Sequence, residues 1–130
     1  MSLSIVPIYA GILALVYVVL TYRTIKARQF HKIQVGHGEN VAFLRISRAH
    51  ANFSEYAPFI LFLMAILELQ SFSPLFLHVC GVLLVLSRLV HAYGVSQVKE
   101  VLKFRIISMV TTLLLLTVTG LANLYIAISR

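Results

Sequence analysis

Residues 106–129 read IISMVTTLLLLTVTGLANLYIAIS and contain no charged side chain. Three further charge-free segments lie at residues 1–22, 56–67 and 69–87. An α-helix needs about 20 apolar residues to cross the ~30 Å hydrocarbon layer of a bilayer. Backbone amides in lipid must be bonded within the spanning structure, so these segments are predicted to be helices. The sequence therefore predicts an all-α integral membrane protein, a four-helix bundle.

The composition of the chain supports this fold class. Of its 130 residues, 60% are hydrophobic and 12% are charged, whereas soluble domains average about 45–50% apolar and about 25% charged residues. The length suits one transmembrane domain that comprises residues 1–130. Turn residues separate four predicted helices. Their approximate spans are 4–28, 42–70, 74–97 and 103–128.

The second predicted helix has a polar face in its first half. Its charge-free segment, residues 56–67, has only 12 residues, so a helix that crosses the bilayer must extend back through Glu55 and Arg48. Arg48, Asn52, Glu55 and Tyr56 share one side of that helix because they follow at i, i+4, i+7 and i+8. Charged groups that face lipid are costly. The face therefore either binds a small zwitterion or forms an Arg48–Glu55 pair, bridged by Asn52, that joins helices.

Further basic residues are predicted to lie at the same end of the bundle. Arg88 and His91, followed by Tyr93, lie near the end of the third helix. They are either ligand contacts or side chains that extend to the lipid headgroups. Arg105 at the start of the fourth helix and Arg28 near the end of the first are cations, which favour the thiolate form of a nearby thiol. Histidine and cysteine do not occur at metal-binding spacings, so no metal is expected.

The distribution of lysine and arginine predicts the orientation. All of them except Arg130 lie in two regions, one between the first and second helices and one between the third and fourth. The positive-inside rule places both regions in the cytoplasm and both termini on the opposite side. Nucleic-acid-binding proteins are also basic, but here the charges flank membrane segments. No nucleic-acid partner is expected for this chain, whose net charge is +7.

The stretch RAHANFSEYAP at residues 48–58 resembles the signature of the MAPEG family, the membrane-associated proteins in eicosanoid and glutathione metabolism. That family includes microsomal glutathione transferases, a leukotriene synthase and microsomal prostaglandin E synthase. The resemblance extends over nearly the whole chain: four helices, a basic first loop, a short second turn and an arginine at the start of the fourth helix. It implies a homotrimer that binds glutathione between neighbouring subunits at the cytoplasmic face.

The resemblance also implies roles for single residues. Arg105 corresponds to the arginine that stabilises the glutathione thiolate, and Arg28 to a second arginine near the site. Glu55 would take the amine of the peptide. The candidate glutathione-binding residues on the second and third helices are Arg48, His50, Asn52, Glu55, Tyr56, Arg88, His91 and Tyr93.

The chain departs from the family pattern at two positions. Leu44 replaces a glutamate that precedes the motif, and the third-helix tyrosine of the eicosanoid enzymes falls at His91 or Val95, with Tyr93 out of phase. An eicosanoid substrate is therefore not expected, and the chain is more similar to uncharacterised prokaryotic members, which would place it in an inner membrane. The expected function is a glutathione-dependent transferase or peroxidase acting on lipophilic electrophiles or hydroperoxides. The alternative is a non-catalytic trimeric scaffold or a thiol- or lipid-binding module.

Overall fold

The computed structural model describes residues 2–129, so Met1 and Arg130 lie outside the described residues. The described part forms four helices: α1 (Val6–His31), α2 (Val41–Leu69), α3 (Pro74–Ser96) and α4 (Leu102–Ile128). Each helix contains a segment that is long and apolar enough to cross a membrane. The predicted fold class, an all-α membrane four-helix bundle, is confirmed. Arg130, which entered the charge count at the C-terminal tail, belongs to the part that is not described.

Side-chain caps explain where two of the helices begin. Asn40 precedes α2, and its side-chain oxygen accepts a hydrogen bond from the Phe43 amide at 2.9 Å. Ser73 caps α3 in the same way, and Pro74 occupies the first turn, where a missing amide proton costs nothing. The end of α1 lies at His31, beyond the predicted end at residue 28, because no helix breaker precedes Lys32, which adopts a left-handed conformation with φ 53°.

The second and third helices form the middle of the bundle. Helix α2 packs against all three others, and α3 does the same, while no contact between α1 and α4 occurs in the described chain. The buried core is apolar along these shared faces. Its members include Leu13, Phe53, Ile60, Met64, Leu67, Leu77, Leu84 and Leu115. Large apolar side chains such as Leu15 and Phe62 remain on the outer surface, as expected for helices that face lipid.

Glu68, near the end of α2, binds the backbone at the start of α1. Its carboxylate accepts hydrogen bonds from the backbone amides of Ser4 and Ile5 at 2.6 Å and of Val6 at 2.8 Å. The first amides of a helix have no partner within the helix, and an acidic side chain there also complements the helix dipole. Glu68 therefore caps α1 from the end of α2 and fixes these two helices at the end of the bundle opposite the basic loops.

Candidate functional site

A polar cavity lies between α2, α3 and α4 at the end of the bundle that carries the basic loops. This cavity, called cavity 1 below, has a volume of about 320 Å³. It is lined by Val41, Leu44, Arg45, Arg48, Asn52, His91, Val95, Arg105 and Met109. Four predicted site residues from three helices therefore meet here, namely Arg48, Asn52, His91 and Arg105.

Close packing of α3 against α4 positions Arg105 at cavity 1. A Cβ atom added at Gly94 would lie 3.1 Å from Phe104 Cβ, so the absence of a side chain at Gly94 lets the first turn of α4 approach α3. The Arg105 guanidinium projects from this turn, with its side chain 54% exposed. An exposed guanidinium at a cavity wall can bind an anion that enters from the open side.

An acidic residue that the sequence did not single out contacts two of the cavity arginines. Glu100 lies in the loop between α3 and α4, and its Oε1 is 3.2 Å from Arg45 Nη1 and 3.4 Å from Arg105 Nη1. The Arg45 Nη1 group also donates to the Val95 carbonyl oxygen at 3.4 Å. Sequence spacing gives no signal for this cluster, because Arg45 and Glu100 come together only when α2 packs against the end of α3.

The polar face of α2 is present, but its hydrogen bonds differ from the predicted ones. Arg48 Nη2 lies 3.4 Å from Glu55 Oε1, with both side chains about half exposed in the single chain. The prediction that Asn52 bridges this pair is wrong, because the Asn52 side-chain oxygen accepts a 2.6 Å hydrogen bond from Arg88 Nη1 instead. Helix packing supplies Asn52 with a guanidinium donor from α3 in place of the predicted contact with Arg48 on its own helix.

Arg88 is enclosed in the bundle and lies behind the wall of cavity 1. Its side chain is 1% exposed, so the interpretation that it extends to the headgroups is wrong. Nη2 donates to Thr112 Oγ1 at 2.7 Å, and the guanidinium lies 5.9 Å from the centre of the Tyr56 ring. Arg88 does not line the cavity. It acts on the site through Asn52, which does.

Two of the candidate residues belong to a separate cavity on the α1 side of α2. This cavity 2 has a volume of about 440 Å³ and includes Arg28 and His50. His50 Nε2 lies 3.0 Å from Thr21 Oγ1, and the His50 ring stacks on Tyr17 with the ring centres 4.9 Å apart. Arg48 lines both cavities, so α2 forms the partition between them.

Arg28 is tied to the loop between α1 and α2. Its Nη1 donates to the Gly36 carbonyl oxygen at 3.1 Å, and the guanidinium lies 4.8 Å from the centre of the Phe43 ring. These contacts fix the loop, in which Gly36 has a φ of +69° that glycine adopts without strain. Within one chain, Arg28 and Arg105 therefore lie in different cavities, and only Arg105 lines the one that contains Asn52 and His91.

Tyr93 is outside both cavities. Its side chain is 60% exposed and packs edge-to-face against Phe104, with the ring centres 6.3 Å apart. The face of α3 that reaches cavity 1 carries His91 and Val95 instead. Tyr93, a candidate glutathione-binding residue, therefore does not line cavity 1 of a single chain.

These features define a multi-pass membrane bundle with a basic, polar cavity at one end. The model of the MAPEG family matches residues 6–125, and the chain belongs to that family. Family membership makes it a membrane protein related to those of eicosanoid and glutathione metabolism. The inner membrane protein YecN of Escherichia coli, found in two strains, is 28% identical over 118 residues, which cover 91% of this chain and 88% of that protein. No solved structure matches the chain significantly.

Proposed function

We propose that the protein is a glutathione-dependent transferase or peroxidase that acts on lipophilic electrophiles or hydroperoxides at cavity 1. The observation that carries this proposal is the meeting of Arg48, Asn52, His91 and Arg105, from three helices, around one cavity. Arginines bind carboxylates in a bidentate manner, and an amide side chain donates to and accepts from a peptide. A thiol peptide with two carboxylates matches this set of side chains.

In the proposed reaction, Arg105 stabilises the glutathione thiolate. The thiol proton is lost to water, and the sulfur attacks an electrophilic carbon while the leaving group departs with its bonding electrons. With a hydroperoxide, the sulfur attacks the terminal oxygen, the alcohol leaves, and a second glutathione displaces water to give the disulfide. A fixed cation in a site of low dielectric constant stabilises the anion more strongly than water does.

The half-exposed Arg48–Glu55 pair supports assembly into a homotrimer. Both charged side chains lie on α2 within the helical part of a membrane protein, where exposure to lipid is costly. A neighbouring subunit would cover them and would also place its own residues beside the cavity. Glu55 and Tyr56, which do not line cavity 1 of a single chain, would then contribute to a site shared between subunits.

The similarity to an inner membrane protein of Escherichia coli supports location in the inner membrane of a prokaryotic cell. The basic loops would face the cytoplasm, because arginine and lysine concentrate at that end of the bundle. Glutathione would then enter cavity 1 from the cytoplasm, and the second substrate would arrive from the lipid.

The experiment that tests this proposal is an ultraviolet difference spectrum recorded when glutathione is added to the protein in lipid nanodiscs. We expect a thiolate band, and we expect Arg105→Ala to remove it and to lower the rate of conjugation with a lipophilic aryl halide by about 100-fold. Lys103→Ala is the matched control, because it removes a cation from the same turn outside cavity 1. Loss of the band in Arg28→Ala but not in Arg105→Ala would assign the thiol to cavity 2 instead.

A second candidate function is a non-catalytic scaffold. It is favoured by the hydrogen bonds that the Arg28 and Arg88 Nη atoms donate to groups of the same chain, as structural residues do. The same experiment separates the two functions. A scaffold predicts that glutathione changes neither the spectrum nor the melting temperature.

A further inference from the structure

Glu100 joins two helices behind the wall of cavity 1. Its carboxylate connects Arg45 of α2 with Arg105 of α4 through one oxygen, while the side chain is only 15% exposed. Glu100 itself does not line the cavity. A ligand in cavity 1 therefore contacts the two arginines, whereas Glu100 acts on the ligand through the positions of these arginines and through its own charge.

We propose that Glu100 is a positioning residue that holds Arg45 and Arg105 together at the wall of cavity 1 and sets how strongly this wall stabilises an anion. Under the proposed function, the consequence of this positioning is that Glu100 controls the formation of the glutathione thiolate. The positions and charges of the two guanidinium groups do not depend on which thiol binds.

The positional part of the proposal follows from the exposure of Arg105. A half-exposed arginine has many rotamers and loses conformational entropy when it binds a ligand. The contact with Glu100 limits these rotamers before the ligand arrives, which reduces the cost of binding. The same carboxylate contacts Arg45, so the separation of the two guanidinium groups is fixed as well.

The electrostatic part follows from the charges around the cavity. The charged or titratable side chains that line it are Arg45 and Arg48 of α2, His91 of α3 and Arg105 of α4. Two acidic side chains contact these arginines in the described chain, Glu55 at Arg48 and Glu100 at Arg45 and Arg105. The Glu100 charge opposes an anion in the cavity, so Glu100 lowers the stabilisation that Arg105 alone would give.

Two atoms of the Glu100 cluster are left without a partner in the single chain. Glu100 Oε2 and Arg45 Nε are both buried and have no hydrogen-bond partner among the described residues. Buried polar atoms without partners reduce stability, so the cluster contributes less to the stability of the fold than two fully bonded ion pairs would.

The test uses a thiol placed in the cavity wall, so that it does not depend on glutathione binding. Met109 lines cavity 1, and the chain's one cysteine, Cys80, is buried. In a Cys80→Ala background, Met109→Cys supplies the reporter, and its rate of alkylation by neutral iodoacetamide is measured against pH in nanodiscs. Leu75→Cys, exposed at the far end of α3, is the control reporter.

Glu100→Gln keeps an oxygen that can accept from Arg105 and lie beside Arg45, but it removes the negative charge. We expect it to raise alkylation of the Met109→Cys reporter at neutral pH by about three- to tenfold, since the loss of one negative charge near a thiol shifts the thiol–thiolate equilibrium by about that order. Arg105→Ala should lower the rate. Alkylation of the Leu75→Cys reporter should change in neither variant.

An unchanged or lower rate in Glu100→Gln, with the melting temperature retained, would overturn the inference. Glu100→Asp provides a second variant that keeps the charge but is one methylene too short to contact both arginines. Because the charge is kept, it should leave the pH profile closer to that of the parent, and because Arg45 and Arg105 are no longer held together, it should weaken glutathione binding. Absence of a glutathione thiolate band in the parent protein would contradict the proposed function and would leave the reporter result as a separate finding.

Discussion

Arg88 is held inside the bundle by neutral groups. Asn52 and Thr112 accept its hydrogen bonds, Met109 Sδ lies 3.6 Å from Nη2, and no acidic side chain lies within 4 Å in the described chain. Neutral dipoles replace only part of the hydration that a buried cation loses. The charge is therefore costly, and its clearest local effect is to fix the side chain of Asn52 at the wall of cavity 1.

Arg88→Lys should loosen Asn52 without emptying the space that Arg88 occupies. A lysine ammonium cannot reproduce the fork that contacts Asn52 and Thr112 together. A lost hydrogen bond to a charged group is worth about 1.5–3 kcal/mol, so we expect the glutathione dissociation constant to rise by about tenfold or more. Isothermal titration calorimetry measures this. Arg23→Lys, at an exposed position of α1, is the control, and equal affinities in the two variants would contradict the role assigned to Arg88.

At this scale, sequence spacing predicted which side chains of α2 share one face of the helix but not the partners of these side chains. The helical repeat placed Arg48, Asn52 and Glu55 on one face, and the structure confirms the Arg48–Glu55 contact. The Asn52–Arg88 bond connects residues that are 36 positions apart. Such a contact depends on the rotation of α2 relative to α3, which the packing of apolar side chains decides and a single sequence does not encode locally.

Helix α1 packs against α3 through a glycine and an aromatic ring. A Cβ atom added at Gly81 would overlap ring carbon atoms of Tyr9. Tyr9 is also fixed by the contact between its hydroxyl group and His78 Nδ1 at 2.8 Å, so the ring cannot move without breaking a hydrogen bond. The absence of a side chain at Gly81 thus sets the distance between the two helices.

Gly81→Ala should therefore destabilise the bundle. Overpacking of a filled interior typically costs about 1–3 kcal/mol, and the clash here is with a ring that is held in place. Gly11→Ala is the matched control in a helix, because nothing lies within 4 Å of the added Cβ and alanine favours helix over glycine. Unfolding of both variants in mixed detergent micelles measures the difference. Equal stability of the two variants would show that α1 adjusts freely against α3.

The elements themselves were largely predictable, because lipid restricts the structures that can cross it. Charge-free length and turn residues together predicted α3 and α4 to within one residue at each end, and the structure places them at Pro74–Ser96 and Leu102–Ile128. The loop cluster around Glu100 was not predictable. Its conformation depends on contacts with Arg45 and Arg105 from two helices, and neither hydropathy nor helical periodicity reports on a loop of that kind.

For the whole molecule, the order of the helices separates two polar cavities. Helices α1 and α4 lie on opposite sides of the central pair and do not touch each other in the described chain. Cavity 2 is consequently formed with α1 and cavity 1 with α4, while Arg48 on α2 lines both. In the proposed trimer, an adjacent copy that covers α2 would bring an additional polar surface to Arg48 and Glu55, and the proposed site would then include residues of more than one chain.

The assembly can be tested through the Arg48–Glu55 pair. In the proposed homotrimer this pair would lie at a contact between subunits. Glu55→Ala would then leave the Arg48 charge buried without its acidic partner. An unpaired charge is far more costly when it is buried than when it is exposed. We expect native mass spectrometry to show three copies of the parent chain. The Glu55→Ala trimer should dissociate at protein concentrations about tenfold higher than those at which the parent trimer dissociates. Glu39→Ala removes an exposed acid from the loop between α1 and α2 and should leave the trimer intact. The contrary outcome is a parent protein that remains monomeric in nanodiscs and whose residues 48 and 55 react freely with labelling reagents. These charges would then be tolerated at the surface of a single chain, and a glutathione site between subunits would be impossible.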